Sequence, residues 1–279
     1  MFSNSLTLKG KIRKLLSQCK TIIFNSLNIN RNIYLYKKWK NLDFPKQKNV
    51  IIIANGPSFN KELAEAILSK RKFFDIAVMN NYFLNNYSNK IIPNYYVLSD
   101  PEHVQTQSDK QTKLNETLKK FILDNNIKLF APNEKRWEQF QKSFIPFNDF
   151  QNLSSNNIDP RKPRGYTSNT GFKTLALMLA LNYEKIYVVG LDFDYPRKIM
   201  LDESNQIYLK REHSYGDVKD NLSHEFDSVG HALNWWSENY WHLRKLKSKK
   251  IINVTDKSMI DAFKRLSIDN FIKDMEELK

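Results

Sequence analysis

The segment Val50-Ile51-Ile52-Ile53-Ala54, followed at once by Asn55-Gly56-Pro57-Ser58, sets the strongest limit on the fold. A continuous apolar run rich in β-branched residues has no polar face. It needs cover on both sides, as an inner strand of a parallel sheet has. The Gly-Pro turn ends the run, and residues 62–68 then read as a helix. The alternation recurs, with strands expected at 75–79, 95–98, 127–131, 185–190 and 251–254. Helical spacing falls within 102–126, 171–181 and 231–247, and a closing helix is expected after Asp256. Thr170 is the expected cap and Asn182 the expected stop of the helix over 171–181. Residues 133–165 read as irregular, with Pro160-Arg161-Lys162-Pro163-Arg164-Gly165 as loop, and polar sequence over 191–229 reads as a lid. The expected fold is α/β, a Rossmann-like, mostly parallel sheet flanked by helices.

Charge divides the chain into two expected parts. Of the 44 Lys and Arg residues behind a net charge of +14, an outsized share lies in residues 1–50, where Asp43 is the sole acid. Mixed with Leu, Ile and Phe, these cations read as a basic arm over 1–48 suited to anionic lipid headgroups, ahead of a catalytic domain over 49–279. A solvated leader is the plainer reading of the same segment. Basic residues upstream of the organised region argue against nucleic acid as partner. A single Cys19 excludes a disulfide framework and a cysteine zinc site. With no secretory signal or 18-residue apolar run to read, the expectation is a cytoplasmic protein, peripheral on the inner membrane, and a homo-oligomer is compatible with it.

Three constellations can carry chemistry. The strand–turn–helix at Asn55, Gly56, Pro57 and Ser58 offers backbone N–H groups and a helix N-terminus to a phosphate, with Gly56 permitting close backbone approach. It is neither a dinucleotide fingerprint nor a P-loop. Gly190-Leu191-Asp192-Phe193-Asp194-Tyr195 follows the strand over 185–190, where α/β sheets bind ligands. Asp192 and Asp194 either hold a divalent cation, as in a D-x-D motif, or tie down the loop. His213, His224, His231 and His242 match no common zinc spacing. His231, after Gly230 at a helix start, can act as a general base or serve structurally.

In order and spacing these pieces resemble the bacterial lipooligosaccharide sialyltransferases that use CMP-N-acetylneuraminic acid; flagellin-modifying nonulosonate transferases share some of the motifs. The family's Gly-Asn-Gly-Pro-Ser turn resembles Ala54-Asn55-Gly56-Pro57-Ser58, and its Cys-Asn-Gln-Phe-Tyr-Phe segment resembles Met79-Asn80-Asn81-Tyr82-Phe83-Leu84. Its Thr-Ser-Gly helix is similar to the stretch from Asn169-Thr170-Gly171 to Tyr187. Its Ser-Gly-Ile-Asp-Phe-Tyr strand end resembles Val189-Gly190-Leu191-Asp192-Phe193, and its Ser-His-Tyr-Ile-Gly-His segment resembles the stretch from Ser223 to His231. Departures fall at Thr167, where the family has Arg (Arg164 lies nearby), and at Asp100, where it has Asn beside Ser99. Asp194 displaces a family Tyr to Tyr195, and a second phosphate-contacting Tyr matches either Tyr208 or Tyr215.

The resemblance implies an inverting transfer of sialic acid or a related ulosonic acid from a CMP-sugar to a cell-surface glycan or glycolipid. It implies His231 as base, donor contacts at Asn55, Gly56, Pro57, Ser58, Asn80, Ser99, Asp100, Asn169, Thr170, Gly171, Asp192, Phe193, Tyr195 and Tyr215, and no metal or other cofactor. The competing readings are a metal-dependent transferase of nucleotide-diphosphate sugars using Asp192 and Asp194, and a non-enzymatic module that binds anionic lipid or nucleic acid through the basic arm.

Overall fold

The computed structural model describes residues 29–40, 42, 47–105, 108–148, 159–161, 169–246 and 248–277, with isolated positions 16, 19 and 23. Among these residues eight strands form one sheet and three form another. The large sheet contains β1 (Asn49–Ile53), β2 (Phe74–Met79), β3 (Tyr95–Val97), β4 (Lys128–Pro132) and β5 (Phe144–Phe147). It also contains β6 (Lys185–Val189), β10 (Ile251–Asn253) and β11 (Lys264–Arg265). Its order is β11-β10-β6-β1-β2-β3-β4-β5, and every pairing is parallel. The Rossmann-like α/β expectation holds.

β1 sits at the centre, with Ile53 opposite Val78 of β2 and Val189 of β6. Its side chains alternate between two cores, which is why the run has no polar face. Val50 and Ile52 join Val97, Phe130 and Val188 on one side. There α4 (Thr170–Ala180) adds Phe172, Leu175 and Met178. Ile51 and Ile53 face the other core, with Leu63 and Ile67 of α2 (Lys61–Ser69) and Leu118 and Ile122 of α3 (Asp109–Asp124). Phe271 and Met275 of α6 (Ile268–Glu276) close that layer. Each fully buried Val or Ile contributes about 1.5–3 kcal/mol over exposure.

Four local expectations are corrected. β5 lies within the segment read as irregular: Phe144-Ile145-Pro146-Phe147 pairs only with β4, and an edge strand tolerates a proline that an inner one does not. The cap of α4 is Asn169, whose side chain accepts from the Phe172 N–H at 3.0 Å, rather than Thr170. The closing helix begins at Ile268, after β11, not directly after Asp256. Part of the arm forms α1 (Ile29–Lys40), which buries Leu35 and Trp39 while leaving Lys37 and Lys40 exposed. Trp39 Nε1 donates to the Pro146 carbonyl at 2.8 Å, fastening α1 to β5. Most of the remaining arm, residues 149–158 and the segment from Lys162 to Ser168 lie outside the described residues. Arg164 and Thr167 fall in that last segment.

The expected lid holds the small sheet, in which β7 (Ile199–Leu201), β8 (Ile207–His213) and β9 (Gly216–Asn221) are antiparallel. Ile207, Leu209, Leu222 and Phe226 form a separate core with Ala232 and Trp236 of α5 (Val229–Lys245). Among the described residues no helix is long and apolar enough to cross a membrane.

Candidate functional site

Successive strands run outward in one direction from β1 to β5 and in the other from β6 to β11, so the order reverses between β1 and β6. Open α/β sheets bind ligands at the carboxyl ends of strands beside such a reversal. The turns after β1, β2, β3 and β6 carry most of the sequence-derived candidates.

At the reversal the two turns are joined. The Gly56 N–H donates to the Gly190 carbonyl at 2.8 Å, so it is not free for a phosphate. Ser58 donates its hydroxyl and its backbone N–H to the Asp192 carboxylate. Asp192 thus takes the donors that an anion in this turn would need, and Pro57 stands exposed beside it. Burial pushes the Asp192 carboxyl above its usual range, and the bonds from Ser58 partly offset that. Asp194 faces a different partner, Lys198 Nζ at 3.0 Å, which also reaches Glu212 at 3.2 Å. Ser58 thus holds Asp192 while Oδ2 of Asp192 is buried without a partner, and Asp194 is paired with Lys198.

Beside β1 and β2 several buried polar groups lack partners. Asn55 Nδ2 donates to the Met79 carbonyl at 3.1 Å. Its Oδ1 is buried without a hydrogen-bond partner, as are Oδ1 of Asn80 and of Asn81. Asn80 has φ +49°, which Asn tolerates better than most residues. Its carbonyl is held by the Tyr96 hydroxyl at 2.5 Å. Phe193 repeats the device, with φ +52° and its carbonyl held by the Tyr240 hydroxyl at 2.5 Å. Two non-glycine residues locked in the left-handed region at one sheet edge mark where the fold spends strain.

The end of β3 meets the start of α4: Ser99 Oγ and Thr170 Oγ1 lie 2.8 Å apart, with Asp100 next to Ser99. Gly171 lets α4 approach, since a Cβ there would stand 2.7 Å from Leu191 Cδ1. Over this edge hangs the β8–β9 turn. The Ser214 N–H donates to the Asn55 carbonyl at 2.8 Å, and Asn85 Nδ2 donates to Ser214 Oγ at 2.8 Å. Tyr215 stacks on His213 at 4.8 Å and hydrogen-bonds Asn81 through its side chain. Tyr208 instead lies under Lys219 in the small sheet, so Tyr215 is the tyrosine that reaches the strand ends. Burial also lowers the pKa of His213, with Arg211 nearby adding to the effect.

His231 stands apart from this group. Its ring is half-exposed, with Nδ1 3.9 Å from Asp227 Oδ2 and the ring perpendicular to Phe226 at 5.3 Å. It connects to Tyr195 through Phe226 and Trp236, the latter stacked on Tyr195 at 5.6 Å. Of the candidates, Asn55, Asn80, Ser99, Asp100 and Thr170 gather at the strand ends with Tyr215, while His231 lies beyond the lid's own core. Sequence reasoning does not single out Asn81, Asn85, Tyr96, Ser214 or Tyr240 for roles. Only the Asn80-Asn81 doublet after an apolar run carries a visible signal.

A family model described as lipopolysaccharide core biosynthesis protein (WaaY) matches residues 80–274. That family is not the sialyltransferase family that the motifs resemble, which no comparison shows. No curated protein sequence matches the chain. Among solved structures, the chain is similar to the MAf glycosyltransferase from Magnetospirillum magneticum AMB-1, with 15% identity and a TM-score of 0.47. That match covers 85% of this chain and 35% of the other, so this chain spans about a third of that protein's length.

Proposed function

The chain belongs to the family of lipopolysaccharide core biosynthesis proteins (WaaY), and from the motif resemblance and the groups at the strand ends we propose that it is an inverting glycosyltransferase moving sialic acid or a related ulosonic acid from a CMP-sugar to a cell-surface glycan. The observation that carries this reading is the set of buried, unpartnered oxygens on Asn55, Asn80 and Asn81. Each is an acceptor, and leaving one unsatisfied costs about 1–3 kcal/mol. Ribose hydroxyls and the amino group of cytosine are donors of the kind that would satisfy them. The Ser99–Thr170 hydroxyl pair at the N-terminus of α4 and the phenol of Tyr215 offer donors and positive potential to the phosphate.

In the transfer, the acceptor hydroxyl attacks the anomeric carbon and the bond to the CMP phosphate breaks through an oxocarbenium-like state; the resemblance assigns the acceptor's proton to His231, which would have to be brought up to the strand-end group from which it stands apart here. Asp227 lies on the Nδ1 side of His231, leaving Nε2 for the acceptor. The departing monophosphate gathers less charge than a diphosphate, so protein donors suffice for this step. The basic residues of the arm would hold the enzyme at an anionic membrane surface. Incubating the full chain with CMP-sugars and glycan acceptors, with released CMP as readout, tests the reading. Release from a CMP-ulosonic acid supports it; turnover of nucleotide-diphosphate sugars alone overturns it.

A further inference from the structure

We propose that Asp100, Glu102 and His103 bind a divalent transition-metal cation. The three residues follow β3 at the carboxyl edge of the sheet, in a short 3-10 turn, Pro101–His103. Each offers a ligand atom, and these atoms all lie within 4.8 Å of one another. Metal bonds to imidazole nitrogen and carboxylate oxygen run about 2.0–2.2 Å, so the three groups would have to draw together around the ion.

His103 supplies an observation beyond two nearby acids. It is 3% exposed, and its Nε2 is buried with no hydrogen-bond partner. A buried imidazole nitrogen without a partner is costly, and ligation of a cation is one of the few ways to satisfy it.

The turn is also fixed in advance. The Glu102 carbonyl accepts from Gln111 Nε2 at 3.2 Å and from Asn115 Nδ2 at 2.9 Å, tying it to α3. The Asp100 carbonyl accepts from the His103 N–H at 3.2 Å. An imidazole with two carboxylates suits manganese or zinc better than calcium, which takes oxygen ligands. The site does not depend on the identity of the sugar donor.

The test is titration of the full chain with Mn²⁺, followed by the loss of the free-ion electron paramagnetic resonance signal. The proposal expects saturable binding by the wild type, weakened at least about tenfold in Glu102→Gln and in Asp100→Asn. Glu102 is exposed, so its variant tests the site without disturbing the core. Asp194→Asn should bind as the wild type does. Unsaturable binding by the wild type, undiminished binding in both site variants, or loss of binding in Asp194→Asn would each overturn the proposal.

Discussion

Oδ2 of Asp192 lies 1.7 Å from the point at which a Cβ on Gly56 would stand, and the Gly190 carbonyl lies 2.5 Å from it. Glycine at position 56 therefore serves contact between two turns of the protein itself. In the sequence alone the same glycine reads as room for a phosphate to approach the backbone. Gly56→Ala should lower stability by roughly 2–3 kcal/mol, as overpacking does. Asp192→Ala in the same chain should recover only part of the loss, because the Gly190 carbonyl remains. Urea denaturation of the single and double variants measures both effects.

The buried Asp192 carboxyl makes a pH prediction with a definite sign. Its pKa is raised in the folded state. Between the ordinary carboxylate value near 3.9 and that raised value, the native state holds more proton than the unfolded chain, so this group's contribution to stability falls as pH rises. Asp192→Asn removes the titration. Relative to the wild type, its thermal midpoint should gain as pH is taken upward through that window, and a pH-independent difference would contradict the assignment.

The central strand and the site's neighbourhood are legible because the β1 run has no polar face and so has to be covered twice. β5 is not, because Pro146 is compatible with a strand only at an edge, and edge position is a property of the whole sheet. α1 merges with the basic arm in the sequence because Lys37, Lys38 and Lys40 mask the burial of Leu35 and Trp39. The Asn55–Ser58 turn is visible as a turn, but the partners taken by its donors are not. Asp192 lies 134 residues beyond Ser58 in sequence, and no local pattern shows that it and Gly190 use those O–H and N–H groups. His103 draws no attention because one histidine after a Pro-Glu pair has no motif; its missing partner is visible only in three dimensions.

The lid should respond to loss of its fastening. Asn85→Ala removes the bond to Ser214 Oγ while leaving the Ser214 N–H on the Asn55 carbonyl. Exchange of the 213–216 backbone amides should quicken and CMP affinity fall severalfold, with a change in global stability near 1 kcal/mol. Hydrogen exchange by mass spectrometry, with and without CMP, reports the first effect. Unchanged exchange in the turn would remove the fastening from the account.

His231→Ala should reduce transfer by roughly 10²–10⁴-fold with donor affinity nearly intact, if this residue takes the acceptor proton. The acidic limb of the pH–rate profile should vanish with it. Because the ring is half-exposed, the thermal midpoint should barely move. A variant that keeps most of its turnover would exclude His231, and His213, which lies against the Asn55 turn, would be the next residue to test.

The central claim is that a CMP moiety binds beside the unpartnered oxygens of Asn55, Asn80 and Asn81. Calorimetric titration of CMP into the wild type and into Asn80→Asp tests it most directly. Aspartate keeps the size of the side chain and tolerates the left-handed backbone, but it sets a negative charge beside the nucleotide. The account predicts saturable CMP binding by the wild type and a loss of at least about tenfold in the variant, equivalent to about 1.4 kcal/mol, with both proteins folded. Equal CMP affinity in the two, or no CMP binding by the folded wild type, would contradict it.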